Sequence, residues 1–322
     1  MTKSTRQSKA VALRDTLAVV SRALPRVRGK GPLGVRLARF LTCFDDEGIC
    51  LATFRMRDGS LMSVDLRSRS EQWAYWTGEY DSEMIKLLSM AVPPGGCMLD
   101  VGANIGFYTI GLGRMLKPHG GRVFAIEPVR SNYDRLVENI RLNNLEEAVT
   151  TLNYALGNEQ GSILIQMETD NQASTGNAAL VVDGASDRDA QTNGVSRVPL
   201  MRLDDIAGAQ NIHRLDLIKV DIEGAELQFL HGSEKMIQQH LPVIYSEVNP
   251  HRMNLFGYGF KDLRALLEGW EYSLYKQTGK CHFAPLHPQE DITGHLTNVL
   301  AVPRTASDSL RATLSLPPLL AE

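Results

Sequence analysis

The sequence lacks the features that define several large classes of protein. It has only four cysteines among 322 residues and no C-x-x-C pair, which argues against a disulfide framework or a structural zinc site. No apolar run reaches about 18 residues, so we predict no transmembrane helix. An apolar share of 43% and a charged share of 22% exclude a disordered chain and a collagen-like or coiled-coil rod. We therefore expect a cytoplasmic globular protein with reduced thiols.

Charge is distributed unevenly along the chain. Residues 1–41 contain ten Lys or Arg and a single acid, Asp15, and carry a net charge of +9. Since the whole chain carries −3, the remaining residues carry −12. A basic segment on an acidic body could contact nucleic acid, anionic lipid or the body itself. The charge of the body argues against a nucleic-acid partner.

The N-terminal 41 residues are predicted to form a basic, flexible tail or a helix. Val11 to Leu24 is mildly amphipathic, and Pro25 ends any helix there. The segment lacks a cleavage site and a clean apolar core, so no signal peptide is predicted, while a transit peptide stays open. The helix either docks on the body or makes a weak contact with a membrane surface.

Residues 42–80 predict a separate N-terminal β element. Alternating apolar residues on both sides of Asp58-Gly59 indicate two strands joined by a tight turn. Three aromatic residues that follow are interpreted as packing anchors, with a substrate pocket as the alternative: Trp73, Tyr75 and Trp76.

Residues 81–302 alternate strand and helix patterns. Helices are predicted over 84–88, 107–116, a segment capped by Ser131 with Asp134, 225–239 and 260–267, and strands over 97–101, 123–126, 149–154, 162–166, 215–220, 243–248, 272–275 and 298–302. This alternation predicts an α/β fold with a doubly wound, Rossmann-like, mostly parallel sheet. Ligands of such sheets bind at the carboxyl ends of the strands.

Residues 168–197 lack periodicity and are predicted as a long loop, either a lid or a surface insertion. Residues 303–322 are predicted as a C-terminal tail.

A glycine loop follows the first strand of this domain. Gly102 and Gly106 flank Asn104, so the G-x-G-x-x-G fingerprint of dinucleotide sites is incomplete. Asp100 directly before the loop suits a cationic or amine-bearing ligand better than a pyrophosphate. Glu127 ends the second strand 25 residues after Gly102, where an acid can accept hydrogen bonds from both ribose hydroxyls. Together these strand ends predict a nucleoside-bearing cofactor, although Glu127 could also be a helix-start carboxylate.

Acidic side chains crowd the ends of two later strands. Asp221, Glu223 and Glu226 lie close enough in sequence to raise one another's pKa and to serve in proton abstraction or hold a metal. The alternative makes them charges at a helix N-terminus, which suits Glu226. After the next strand come Glu247 and His251, the latter either a base or a structural histidine.

Three segments carry a family resemblance: "MLDVGANIGFYT", "FAIEP" and "LIKVDIEGAELQFLHG". In this order they resemble the FkbM-type methyltransferases, class I enzymes that depend on S-adenosylmethionine (SAM), and the likeness spans about residues 73–302. The resemblance implies a cofactor site formed by Asp100, Gly102, Ala103, Asn104, Gly106, Tyr108, Thr109, Glu127, Ala155 and Leu156. In it Asp100 would face the ammonium group, the glycine loop would hold the methionine part, Glu127 the ribose, and Ala155 and Leu156 the adenine. The family methylates hydroxyl oxygens of sugars, glycans or polyketide-like products.

The expected chemistry is an in-line transfer of a methyl group to a small-molecule or glycan acceptor. A base must take the hydroxyl proton, and the candidates are Asp221, Glu223, Glu247 and His251. Asp221 could instead only stabilise positive charge, and no metal is required by the spacing, although the acids could hold a divalent ion. Two rival functions stay open, a nicotinamide-dependent oxidoreductase and a non-catalytic SAM-binding protein.

Overall fold

A helix and a β-hairpin precede the main domain in the computed structural model. The structure describes residues 3–25, 50–167, 178–180, 195–287 and 289–317. The first elements are α1 (Lys3–Ala23), β1 (Leu51–Arg55), β2 (Leu61–Asp65) and α2 (Arg69–Thr77). β1 and β2 pair in antiparallel fashion on either side of the Asp58-Gly59 turn, so the predicted hairpin is present.

The helix α1 is longer than predicted and packs against α2. Ala18 has no exposed surface, and the Tyr75 hydroxyl donates a hydrogen bond of 2.6 Å to the Asp15 carboxylate. The Ser21 hydroxyl donates to the carbonyl oxygen of Trp76. This face of the helix is therefore docked on the body. The rest of the predicted tail, and the first residues of the predicted 42–80 element with Cys43, lie outside the described residues.

The main domain alternates strands and helices as predicted. Its helices are α3 (Ser82–Ser89), α4 (Phe107–Leu116), a short 3-10 helix (Lys117–His119), α5 (Arg130–Leu142), α6 (Leu203–Ile206), α7 (Glu226–His231), α8 (Glu234–His240), α9 (Pro250–Leu255), α10 (Phe260–Gly269) and α11 (Asp308–Thr313). Its strands are β3 (Cys97–Val101), β4 (Arg122–Ile126), β5 (Val149–Leu152), β6 (Ala155–Leu156), β7 (Gly161–Met167), β8 (Ala178–Leu180), β9 (Val195–Met201), β10 (Leu217–Val220), β11 (Val243–Val248), β12 (Tyr272–Gln277), β13 (Phe283–Pro285) and β14 (Thr297–Pro303). No helix within these described residues is both long and apolar enough to cross a membrane.

Eight strands form the central sheet in the order β13-β12-β14-β11-β10-β3-β4-β5. β10 pairs in parallel with both β3 and β11, and β3, β4 and β5 continue the parallel series. β14 runs against the parallel strands, because it pairs in antiparallel fashion with both β11 and β12. β13 also runs against them, because it pairs in antiparallel fashion with β12. The predicted mostly parallel sheet is confirmed. The chain leaves β3 toward one edge and β10 toward the other, so these two neighbours form the switch point where such sheets bind ligands.

Helices cover both faces of the sheet, which makes it doubly wound. Met98 of β3 packs with the layer that contains α3 and α4, whereas its neighbours Leu99 and Val101 pack with the layer that contains α7, α8 and α10. The alternation follows from the two-residue period of a strand. Burial on both faces explains why β3 appears in the sequence as a continuous apolar run.

A smaller sheet packs beside the main one in the order β6-β9-β7-β8. β8 and the start of β9 fall within 168–197, so the prediction of one long loop there is wrong in those places. Residues 168–177 and 181–194 lie outside the described residues, and the lid stays untested.

Two predicted helix boundaries are wrong. α5 begins at Arg130, and its N-cap is Val129 and not the predicted Ser131. The Val129 amide donates a hydrogen bond to the Glu127 carboxylate. The helix predicted over 225–239 is divided into α7 and α8 at Gly232. A Cβ on Gly232 would lie 1.8 Å from the carbonyl oxygen of Gly157, so the approach of that loop requires glycine.

The described part of the predicted C-terminal tail is folded. Leu314, after α11, is fully buried, and the Arg311 guanidinium donates to the Tyr275 hydroxyl and to the carbonyl oxygen of Pro303. The segment after β14 therefore packs back against β12 and β14 of the central sheet.

Two asparagines of α5 attach the N-terminal hairpin to the main domain. The Asn139 side chain accepts from the Ser63 amide at 2.7 Å and donates to the carbonyl oxygen of Ile105 at 2.9 Å. Asn143, one turn later, both accepts from and donates to the backbone of Leu61. The hairpin is thus bonded through Asn139 to the glycine loop itself.

Candidate active site

A cavity of about 340 Å³ opens at the switch point, between the carboxyl ends of β3 and β10. Ten of the residues predicted from the sequence line it: Gly102, Ala103, Asn104, Tyr108, Glu127, Ala155, Leu156, Asp221, Glu223 and Glu247. Asp100, Gly106 and Thr109 do not line the cavity. His251 lies on α9 with an exposed side chain and does not line the cavity, so its predicted role as a base has no support in the geometry.

The glycine loop is shaped by alternate residues in the left-handed region. Gly102, Asn104 and Gly106 have φ angles of 76°, 52° and 97°. The amides of Gly102 and Ala103 both donate to the carbonyl oxygen of Ile126, which fixes the loop to the end of β4. A Cβ on Gly102 would lie 2.0 Å from the carbonyl oxygen of Asp221, so only glycine allows the loops after β3 and β10 to meet.

Glu127 closes the other side of the loop. Its carboxylate accepts from the Asn104 amide at 2.8 Å and from the Val129 amide at 2.9 Å. Burial raises the pKa of Glu127 to about 7, although both amide bonds act in the opposite direction. The side chain is therefore a strong acceptor at the point where the glycine loop and α5 converge.

Asp100 occupies a different place from the one predicted. Its side chain is fully buried, accepts from the Thr109 hydroxyl at 2.6 Å, and lies 3.6 Å from the Lys219 ammonium. Asp100 thus supports the loop from beneath, and the prediction that it faces a ligand ammonium group is not borne out.

Lys219 is the functional residue that sequence reasoning did not place in the site. Its ammonium lies 3.4 Å from Asp221, donates to the carbonyl oxygen of Gly102 at 3.0 Å, and faces the Tyr108 ring at 5.6 Å. Burial lowers its pKa, but the charges of Asp221 and Asp100 outweigh that effect and raise it above the ordinary value. A buried cation therefore joins the ends of β3 and β10. A lysine inside an apolar strand, two residues before Asp221, was the available signal.

The loop after β10 is braced from below. Glu223 and Gly224 have φ angles of 55° and 102°. The Glu226 carboxylate accepts from the amides of Ile222 and Gly224, and the Tyr258 hydroxyl donates to the carbonyl oxygen of Gly224 at 2.7 Å. Burial raises the pKa of Glu226 to about 7. Glu226 is the first residue of α7, as the alternative of a charge at a helix N-terminus held, and its carboxylate also braces the loop.

Two further strand ends complete the cavity wall. Glu247 is the last residue but one of β11, and Asn249 caps α9 by accepting from the Arg252 amide. Arg252 lies 3.6 Å from the Glu223 carboxylate. Burial, followed by the charges of Asp221, Glu223 and Glu226, raises the pKa of Glu247 to about 9.

An aromatic wall faces these carboxylates. The rings of Tyr80 and Phe107 stack at 4.1 Å with an interplanar angle of 8°, and Tyr108 meets Tyr80 edge to face. The Tyr108 hydroxyl donates to Asp81 at 2.6 Å, which fixes its ring. Of the aromatic residues predicted as anchors, Tyr75 and Trp76 are buried in the core, and none lines the cavity.

The charge of the cavity lining is unbalanced. Five carboxylates line the cavity against two cations: Glu71, Glu127, Asp221, Glu223 and Glu247 against Lys219 and Arg252. Within the part of the chain that the structure describes, no group of three or more His, Cys, Asp or Glu side chains could hold a metal ion. Glu71 is paired with Arg135, and Glu247 keeps a proton at neutral pH in the free protein. Positive charge on a ligand would favour the ionised form of Glu247 and would complement Asp221 and Glu223, so this lining suits a cationic ligand.

The family model described as the Methyltransferase FkbM domain matches residues 100–274, more than half of the chain. The chain belongs to this family. The matched segment begins at the end of β3 and includes the glycine loop, Glu127, Lys219 and the acids after β10 and β11.

The chain is also similar to several known proteins. Methyltransferase sdnD of Sordaria araneosa is 29% identical, over 45% of this chain and 62% of that protein. Hexuronic acid methyltransferase AglP of Haloferax volcanii is 25% identical, over 54% of this chain and 64% of that protein. The crystal structure of Methyltransferase FkbM from Methylobacillus flagellatus is 19% identical with a TM-score of 0.41, covering 74% of this chain and 55% of that one. The chain thus spans about six tenths of the length of these relatives.

The raised pKa of Glu247 predicts a pH-dependent stability of this FkbM domain. A carboxyl whose pKa is higher in the folded protein favours folding below its ordinary pKa, and this contribution is lost as the pH rises toward about 9. Replacing Glu247 with Gln removes the charge that burial opposes. We expect E247Q to be more stable than the wild type by about 3 kcal/mol near pH 8, and no more stable near pH 4.

Urea unfolding of the ligand-free protein at several pH values measures this difference. The control is E159Q, which changes an exposed carboxylate and should alter stability by less than about 0.5 kcal/mol at each pH. A constant difference between E247Q and wild type across the pH range would contradict the assigned cause.

Proposed function

We propose that the protein is a SAM-dependent O-methyltransferase that transfers the methyl group to a hydroxyl of a sugar, glycan or polyketide-like acceptor. The observation that carries the proposal is the carboxylate-rich cavity at the switch point, with the buried Glu127 beside a glycine loop. SAM carries a sulfonium and an ammonium group, and an excess of carboxylates is complementary to both.

The residues present fit this cofactor. The amides and small side chains of the loop Gly102–Gly106 would hold the methionine part, and Glu127 would accept hydrogen bonds from the ribose hydroxyls. Ala155 and Leu156 supply an apolar wall for adenine beside Tyr154, whose buried hydroxyl lacks a hydrogen-bond partner among the described residues. A volume of about 340 Å³ lies within the range of small-molecule sites.

When bound, SAM supplies a methyl carbon made electrophilic by the attached sulfonium. The protein therefore has to position the acceptor oxygen and remove its proton. Asp221 is the residue to which we assign the proton, because its carboxylate is 40% exposed at the cavity and is held in place by Lys219. Glu247 retains a proton at neutral pH in the free protein and can donate a hydrogen bond to the acceptor.

The aromatic wall supports an acceptor with both apolar and hydroxyl-bearing faces. The Tyr80 and Phe107 rings offer a flat apolar surface, and Asp221, Glu247 and Asn249 offer polar groups close by. A sugar ring has both kinds of surface. The name of the hexuronic acid methyltransferase from Haloferax volcanii is consistent with a sugar acceptor.

The two rival functions fit this cavity less well. A nicotinamide dinucleotide carries a negatively charged pyrophosphate, which the carboxylates around the loop would repel. A non-catalytic SAM-binding protein would not need Asp221 and Glu247 beside the proposed methyl position. A cytoplasmic location, a small-molecule or glycan acceptor and the lack of a nucleic-acid partner stay predictions from the sequence.

The proposal is tested by calorimetric titration with S-adenosylhomocysteine and, separately, with NADH. We expect the wild type to bind S-adenosylhomocysteine and not NADH, and we expect E127Q to bind it at least about tenfold more weakly, because a neutral amide is a poorer partner for two hydroxyls. The control is E138Q, which changes an exposed carboxylate on α5, the helix that follows Glu127. It should bind as the wild type does.

Binding of NADH alone would overturn the methyltransferase proposal in favour of the oxidoreductase. Binding of S-adenosylhomocysteine without methyl transfer from SAM to any member of a panel of sugars and hydroxylated metabolites would favour the non-catalytic protein.

A further inference from the structure

The helix α1 places charged side chains against the body, beside the buried Ala18 and the partly buried Leu17. From Ala12 to Leu24 the charged residues lie on the side that meets the body. Arg14 is 2% exposed, Asp15 accepts from Tyr75, and Arg22 donates to the carbonyl oxygen of Tyr75 and covers the Phe54 ring.

The outward side of the same helix is apolar. Leu13, Val19, Val20 and Leu24 are each more than half exposed. The other exposed residues from Ala12 to Leu24 are Ala12, Ala23 and Thr16. The Thr16 hydroxyl donates to the carbonyl oxygen of Ala12 within the helix. The spacing of Leu13, Val20 and Leu24 places them in one stripe, since positions seven and eleven apart share a helix face. We name this stripe, with Val19, the outer face of α1.

Basic residues flank the outer face on both sides in the sequence. Lys3, Arg6 and Lys9 precede it in the same helix, and residues 1–41 carry a net charge of +9 in the sequence. Asp15, which is bound to Tyr75, is the only acid in residues 1–41. An apolar helix face with basic flanks is the pattern of helices that lie in the plane of an anionic membrane surface.

We propose that α1 docks the protein on an anionic phospholipid surface, with its outer face at the boundary between headgroups and acyl chains. The flanking lysines and arginines supply the electrostatic attraction. The rest of the chain carries −12 and is repelled by the same surface, so the contact is confined to this end of the molecule.

Charge argues against a second copy of the chain as the occupant. Pairing two outer faces would bring two sets of basic flanks together, and like charges oppose that association. An anionic lipid surface, in contrast, is complementary to both the apolar stripe and its flanks.

Co-sedimentation with vesicles tests the proposal on the full chain. We expect the wild type to bind phosphatidylcholine vesicles that contain about 30% phosphatidylserine, and to bind pure phosphatidylcholine at least about tenfold more weakly. The triple variant L13Q/V20Q/L24Q should partition to the anionic vesicles at least about tenfold more weakly, because the apolar contact is lost without any change of charge. K3Q/R6Q/K9Q should lose most of the preference for phosphatidylserine.

The matched control is M90Q/M115Q/L255Q, which changes three exposed apolar residues elsewhere and should bind as the wild type does. Circular dichroism and thermal unfolding establish that each variant is folded, which is expected because the inner face of α1 is unchanged. Equal vesicle binding by wild type and L13Q/V20Q/L24Q would overturn the proposal. So would a wild type that ignores vesicles but sediments as a dimer that this variant dissociates, since the outer face would then bind a second copy.

Discussion

Replacing Gly102 with alanine is expected to weaken S-adenosylhomocysteine binding at least about a hundredfold and to destabilise the fold by about 4 kcal/mol or more. The new Cβ would lie 2.0 Å from the carbonyl oxygen of Asp221, which is backbone and cannot rotate away. The ends of β3 and β10 would have to separate. That movement displaces the Gly102 carbonyl from Lys219 and shifts Asp221 relative to the glycine loop.

Gly95→Ala is the matched control for this effect. Gly95 has a φ of 71°, close to the 76° of Gly102, so alanine meets the same backbone strain at both positions. No atom lies within 4 Å of a Cβ on Gly95. We expect Gly95→Ala to cost about 1–2 kcal/mol in urea unfolding and to leave the affinity unchanged. If the two variants behaved alike, the left-handed φ, and not the contact with Asp221, would account for the glycine.

The predictable part of the site consists of residues whose role is local in sequence. Gly102, Glu127 and Asp221 each lie directly after a buried strand, and parallel strands bring their carboxyl ends to one edge. Once the strands are recognised, the convergence of these residues follows. The resemblance to the FkbM family supplied Ala155 and Leu156, which no local pattern marks.

The parts that the sequence did not reveal depend on contacts between distant segments. Lys219 faces Asp100 because β10 and β3 pair with those two residues in register, and register is not visible in one strand alone. Gly232 divides a helix because the loop at Gly157 approaches it. His251 comes three residues after the end of β11, but it lies in the first turn of α9 and its side chain is exposed.

The N-terminal element shows the same limit. The Asp58-Gly59 turn predicts the hairpin, but only the structure shows that Asn139 bonds Ser63 to the glycine loop and that Glu71 of α2 pairs with Arg135 and lines the cavity. The element before residue 81 is therefore part of the site.

Lys219→Met is expected to destabilise the protein by about 3–5 kcal/mol, because it leaves the fully buried Asp100 carboxylate without its cation. Methionine keeps much of the volume of lysine, so the loss reports charge more than packing. A second change tests this cause. Asp100→Asn removes the unpaired charge, and K219M/D100N should recover part of the stability that K219M loses, a coupling that a double-mutant cycle measures.

Lys276→Met is the control for the loss of Lys219. Lys276 also lies on a strand of the sheet and pairs with Glu290 at 3.3 Å, but both side chains are about one-third exposed. Water screens such a pair, and its loss should cost no more than about 1 kcal/mol. Lowering the pH toward about 4, where carboxylates take up protons, should shrink the deficit of K219M and leave that of K276M small. If Asp100→Asn failed to reduce the loss of stability in K219M, Lys219 would act through its packing on Tyr108 and its hydrogen bond to Gly102. The charge of Lys219 would then not explain how the ends of β3 and β10 are joined.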